Sequence, residues 1–232
     1  MKRRDLQHVL AFFCGALAAV VLMLVLMVTF ANRPAAEAPE AETVLVVEEP
    51  TYKPVPAGTY MPLYLQDDAQ WASIEYAGGT IADSGCGLTC AAMAIKYLTT
   101  QDVTPLTLAG VVGNECLTDG VNDAEKFARW IGETYPAYGM TFTGKIYNLQ
   151  SALLKVDTGA VCFAGVRGQF GDANYNSHVV MIWKHDASGN WWVRDPASAG
   201  NSARPWTLEE LQASDLFYFV CLAGGFYGTT GN

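Results

Sequence analysis

From Val9 to Ala31 the chain carries no charged residue. At about 1.5 Å per residue, a helix over that span is roughly 34 Å long, enough for a hydrocarbon core of about 30 Å. Met1-Lys2-Arg3-Arg4 precedes it, and basic residues tend to stay on the cytoplasmic side. The run is therefore expected to be a signal anchor in the cell membrane, with residues 1–8 inside and the rest of the chain outside. A cleaved signal peptide would secrete the chain instead, but its apolar core is about 7–15 residues; Ala36-Glu37-Ala38 does have the small-x-small pattern of a cleavage site. Residues 32–61 are rich in Pro, Ala and Glu, with Pro50, Pro54 and Pro56 close together. Such a segment is semi-extended and packs poorly, which suits a stalk. That leaves residues 62–224 to build the folded domain and 225–232 as a flexible tail.

A stretch of that length buries a proper core, and the chain is 51% hydrophobic and 12% aromatic, unlike a disordered sequence. Its net charge of −9 repels phosphate backbones, so nucleic acid is not an expected partner. Six cysteines are present. Cys14 lies in the apolar run; Cys86, Cys90, Cys116, Cys162 and Cys221 lie beyond it. Five is an odd number, so at least one is free or pairs with another molecule. Cys162 and Cys221 sit in apolar strand-like runs and are expected to be buried thiols. If Cys86 is free, the other four allow three pairings.

Local signals place helices early and strands late. Cys86–Leu98 reads as a helix that begins where a loop ends. Thr104-Pro105 opens a second, with Thr as N-cap and Pro at the first position. Asn122–Tyr135 reads as a third, with Phe127, Trp130 and Ile131 on one face. Met140–Tyr147 alternates like a strand, Leu149–Val156 is a short helix, and Ala160–Val166 is a buried strand. His178–Lys184 and Asn190–Asp195 read as a hairpin through His185–Gly189. Thr207-Leu208-Glu209-Glu210 is a capping box for a last helix, and Leu216–Ala223 is a last strand. This order predicts an α+β fold, the N-terminal helical part packed on an antiparallel sheet.

One sulfur draws the chemistry together. Cys86 falls in the first turn of its helix, where unpaired N–H groups and the helix dipole favour an anion, and the thiolate is the reactive form of cysteine. A thiol nucleophile needs a base. Of the three histidines, His8 lies before the apolar run and His185 in a hairpin turn, expected to be solvated. His178 follows the polar stretch Gly171–Ser177 at an expected loop-to-strand junction, and is the candidate base. Asp195, at the end of the next strand, is brought to the same end of the sheet and can orient the imidazole; capping the turn before Pro196 is its structural alternative. An oxyanion requires donors. The Cys86 N–H is one candidate. An upstream side-chain amide is the other, Gln66 or alternatively Gln70. Cys86-x-x-x-Cys90 is not a metal-binding Cys-x-x-Cys pair, His-Glu-x-x-His is absent, and Ala77-Gly78-Gly79-Thr80 lacks the lysine of a phosphate loop. Neither metal nor cofactor is expected.

These blocks together carry a resemblance. Gln66-x-Asp68-x-x-Trp71-Ala72, Gly79-Thr80-Ile81, Ser84-Gly85-Cys86-Gly87-x-Thr89, Ser177-His178-Val179-Val180 and Asp195-Pro196 resemble the C39-like peptidases of the papain-like cysteine peptidase superfamily. The resemblance runs from about Pro62 to Ala223. It implies a papain-like fold with Cys86 as nucleophile, His178 as base, Asp195 as third member and Gln66 as oxyanion donor, acting on a peptide or protein substrate. Two positions depart from the family: Leu88 stands where proline is usual, and Cys90 where a small residue such as serine is common. Trp71 and Tyr175 are the candidate substrate contacts. The same residues would also suit a cell-wall peptide amidase or acyltransferase. A catalytically silent binding module is a third reading, with Trp71, Tyr175, Trp183 and Trp191 lining a groove.

Overall fold

A computed structural model of the protein describes residues 60–224. The segments expected to be a cytoplasmic N-terminus, a transmembrane helix, a stalk (all but its last two residues) and a C-terminal tail lie outside the described residues. Among the described residues no helix is long and apolar enough to cross a membrane.

A hairpin of β1 (Glu75–Tyr76) and β2 (Gly79–Thr80) leads into α1 (Ile81–Ser84), α2 (Cys86–Thr99) and α3 (Pro105–Val112). A second hairpin, β3 (Leu117–Thr118) and β4 (Val121–Asn122), leads into α4 (Ala124–Thr134). After β5 (Thr141–Phe142) and α5 (Leu149–Asp157) come the long strands β6 (Val161–Phe170) and β7 (Ala173–His185). The chain continues through β8 (Trp191–Arg194), α6 (Ala199–Ser202), β9 (Pro205–Trp206) and α7 (Leu208–Ala213), then closes with β10 (Asp215–Ala223). The main sheet has six strands in the order β5-β10-β6-β7-β8-β9, and every pairing is antiparallel. The architecture is the expected mixture of helices and antiparallel sheet.

Alternation along the central strands creates two cores, since successive side chains point to opposite faces. Val161, Phe163, Val179, Met181, Trp183, Val220 and Leu222 pack with α2, α3 and α4. Cys162, Ala164, Val166, Val180, Ile182, Phe219 and Cys221 pack with α5 and α7. Helices thus cover both faces of the sheet, not one. The helix α2 is buried on nearly every side, from Gly87 to Ile95 and again at Leu98 and Thr99. A helix apolar all round belongs in the middle of a protein.

Several local expectations change. The segment before α2 is not a loop: Thr80 and Asp83 form a capping box on α1, and Gly85 ends α1 and begins α2. The third helix starts at Ala124, because Asn122 is taken by β4 and Asp123 is the cap, accepting from the Glu125 and Lys126 N–H groups. The strand expected over Met140–Tyr147 is reduced to Thr141–Phe142 and a single bridge between Ile146 and Phe219. Strand β7 begins at Ala173 and absorbs most of the polar stretch expected as loop. Asn174 and Tyr175 pair with Gln169 and Gly168. This part of the hairpin is largely exposed and needs no apolar face, so the usual period-two signal is missing. Met61, placed in the stalk by composition, is fully buried, and its carbonyl accepts from the Arg194 guanidinium.

Candidate active site

Cys86 is the first residue of α2, and no side chain caps that helix end. Its unpaired N–H groups and the helix dipole face the half-buried sulfur. Across from it His178 stands within β7, not at its start, and pairs with Val166 beside a register shift between Val166 and Gly168. Such an irregularity re-aims neighbouring side chains. The His178 Nε2 lies 2.9 Å from Asp195 Oδ1, and Cys86 is near enough to favour the charged imidazole. With Nε2 held by the carboxylate, Nδ1 is the nitrogen left for sulfur. The structure brings Cys86, His178 and Asp195 together from α2, β7 and the end of β8.

Asp195 is fully buried and its acceptor sites are filled. Oδ1 accepts from His178 and from the Ala197 N–H at 3.0 Å, so the residue both orients the imidazole and caps the turn. Oδ2 accepts from the Tyr175 hydroxyl at 2.8 Å and from Asn201 Nδ2 at 2.9 Å. The Asp195 N–H donates to Ser202 Oγ. Burial alone would raise the carboxyl; the bonds from His178, Asn201 and Ala197 outweigh it and hold it below the usual carboxylate range. For His178 burial opposes the imidazolium, but Asp195 and Cys86 overcome it and lift the ring to about 9.

A pH dependence of stability follows from these shifts. His178 holds its proton more tightly folded than unfolded, where its ordinary value is 6.5. That contribution is complete below about pH 6.5 and lost as pH rises through about 9. Asp195 works in the opposite sense: its contribution is present above its unfolded value and lost as pH falls. The alkaline loss is on the order of 3 kcal/mol. Melting temperature should therefore decline between pH 6.5 and 9, and this slope should flatten in Asp195→Asn. An equal slope in both proteins would refute the assignment.

Gln66 lies buried between the two ends of the site. Its N–H donates to the Pro196 carbonyl at 2.7 Å, and its side-chain Nε2 donates to the Ala82 carbonyl, a residue of α1. One Nε2 hydrogen is left over. Gln70 is exposed. Trp71 is buried, 4% exposed, and its indole N–H donates to the Leu65 carbonyl, fixing the turn that carries Gln66. The spacing of the Gln66–Ala72 block is thus that of a compact turn, in which the Trp71 and Ala72 N–H groups both donate to the Asp68 carbonyl. Tyr175 stacks on the His178 ring, with centroids 4.0 Å apart and planes 20° off parallel. Burial, then the charge on Asp195, pushes its phenol above the ordinary range, so it stays a donor. It joins the His178–Asp195 assembly while remaining partly exposed. Trp183 and Trp191 are buried. His185 is exposed; it pairs with Asp157 at 2.7 Å and stacks on Trp191.

Three residues of the site escaped the sequence reading. Asn201 donates to Asp195 and to the Phe170 carbonyl, and Ser202 accepts from the Asp195 N–H. Both lie on α6, a four-residue helix with no apolar pattern to betray it. Gly171 has a φ of +57° and sits so close to Asn201 that a Cβ would collide with its amide oxygen. The third residue is Asn122, whose Nδ2 lies 3.8 Å from Cys86 Sγ. Its signal was available, because Asp119-Gly120 is a typical hairpin turn pair, and both residues have positive φ.

All described cysteines are free. Cys90, Cys116, Cys162 and Cys221 are buried, Cys90 with its thiol directed at the Val179 carbonyl. Burial raises Cys90 well above the ordinary thiol range, with Cys86 and Asp195 adding to it. No curated protein matches the chain. A family model does, over residues 59–218, which takes in Gln66, Cys86, His178 and Asp195. The chain belongs to the Peptidase_C39 like family.

Proposed function

We propose that the protein is a membrane-anchored, outward-facing cysteine peptidase that hydrolyses amide bonds of peptides. The observation that carries this reading is the half-buried Cys86 at an uncapped helix start, facing an imidazole held at 2.9 Å by a buried carboxylate. The uncharged run from Val9 to Ala31 behind three basic residues supports the anchoring and the topology.

His178 Nδ1 takes the Cys86 proton, and the sulfur adds to the carbonyl carbon of the substrate amide. The carbonyl π electrons move to oxygen, where the Cys86 N–H and the spare Gln66 Nε2 hydrogen receive the charge. When the adduct collapses, the C–N bond breaks and His178 returns its proton to the departing amine. Water then attacks the thioester with His178 as base. The carboxylic acid leaves, and Cys86 regains its proton. Asp195 keeps the imidazolium oriented throughout.

The test incubates the full chain, purified in detergent, with a peptide library and separately with isolated cell-wall peptides. New amino termini in the library are expected, with kcat falling as pH rises through about 9, where His178 loses its proton. Cleavage confined to wall peptides would redirect the substrate class. No cleavage of either, by a chain whose Cys86 still reacts with iodoacetamide, would overturn the proposal.

A further inference from the structure

We propose that Asn122 is a second hydrogen-bond donor to the Cys86 sulfur, stabilising its thiolate, and that residue 87 is glycine to make room for it. This deepens the peptidase reading and rests on Cys86 being the nucleophile.

The geometry leaves the Asn122 amide one orientation. The Tyr76 hydroxyl donates to Oδ1 at 3.0 Å. Burial, followed by the charges of Cys116 and Cys86, pushes the Tyr76 phenol well above its ordinary range, so it remains protonated and donating. Nδ2 then faces the Ser84 carbonyl at 2.5 Å and Cys86 Sγ at 3.8 Å. Two hydrogens serve two acceptors. With the amide turned over, an oxygen would face the Ser84 carbonyl and the sulfur, and Tyr76 would lose its acceptor. The donor is also held in place by backbone. Asn122 pairs with Leu117 across the Asp119-Gly120 turn, and Tyr76 ties this hairpin to the β1–β2 hairpin ahead of α1.

Gly87 bears on the same contact. A Cβ built there would stand 2.6 Å from Asn122 Cβ and 3.0 Å from its Cγ. The carbon it meets sits at the root of the side chain, so the asparagine cannot swing clear without shifting β4. The second glycine of Gly85-Cys86-Gly87 therefore admits the side chain that reaches the sulfur. A neutral donor stabilises a thiolate without competing with His178 for its proton, and hydrogen bonds to charged groups are stronger than neutral ones.

The test is iodoacetamide alkylation of the full chain between pH 5 and 11, read by mass spectrometry on the peptide that contains Cys86, with melting temperature as the check on folding. In Asn122→Ala the rate at neutral pH should fall about tenfold, then converge on the wild-type rate at the alkaline end of the range. Gly87→Ala should give the same profile, and the double variant should be no slower than either single one. If Asn122→Ala does not fold, Asn122→Asp retains the Tyr76 acceptor, lacks the N–H, and should be slower still at neutral pH. A folded Asn122→Ala or Asn122→Asp chain that reacts like wild type would overturn the proposal. So would a rate lowered by one factor at every pH, which marks general distortion. Alkylation requires no substrate. A chain that cuts nothing but shows this pattern would refute the peptidase reading and leave the Asn122 contact standing.

Discussion

Changing Cys86 to Ala should reduce peptide hydrolysis by about ten-thousandfold or more while leaving the urea midpoint close to wild type. The two halves of this expectation have different causes. In the proposed mechanism the sulfur is the atom that attacks, and no other described thiol can replace it, because the other four are buried. It is also only half-buried, so its loss opens no cavity of the kind that makes core truncations costly. His178→Ala should lose nearly as much activity, and the double variant little more than either, since base and nucleophile act as one unit. Activity persisting in Cys86→Ala at even one per cent of wild type would mean that the chemistry lies elsewhere.

The largest effect on stability should come from Arg194→Ala, about 3–5 kcal/mol in urea unfolding. Arg194 is fully buried. Its Nε and Nη2 donate to the Met61 carbonyl, and Nη1 donates to the Ser202 carbonyl at 2.8 Å. The guanidinium also lies over the Tyr60 and Trp183 rings, 4.7 and 5.1 Å from their centroids. One side chain thus joins the entry of the chain, the edge of α6 and the strand that leads to Asp195. Removing it strands buried carbonyls and leaves a void, against a whole-domain stability of about 5–15 kcal/mol. Lysine should rescue only part of the loss, because a point charge cannot reproduce a planar fork. Ser202 also accepts from the Asp195 N–H, so the lysine variant should turn over more slowly as well. An unchanged urea midpoint in Arg194→Ala would refute this account.

Cys86, His178 and Asp195, which the structure brings together, stand at positions that sequence marks strongly. Cys86 opens a long apolar helix, and Asp195 precedes a proline. His178 follows by elimination among three histidines, although it stands within its strand and not at its start. Its strand continues outward into a polar hairpin that faces solvent, where no core imposes alternation. The aromatic residues near the motif are a related case. Trp71 and Tyr175 near a catalytic motif suggest a groove, yet each also has a protein partner for its polar end. Those partners, the Leu65 carbonyl and the Asp195 carboxylate, lie on turns and strand ends that only the folded chain brings near. Asn201, Ser202 and Asn122 belong to the same class. They act through side-chain hydrogen bonds from turns and short elements that carry no apolar pattern, and such bonds leave no periodic trace.

The distribution of thiols has a practical corollary. Among the described residues one sulfur stands within reach of solvent and four are sealed away. A bulky maleimide dye applied to folded protein should therefore attach once to this domain, at Cys86, and report the number of competent molecules in a preparation by colour alone. Unfolding in urea should uncover the other four, so the same dye turns each lost molecule into a fivefold brighter one.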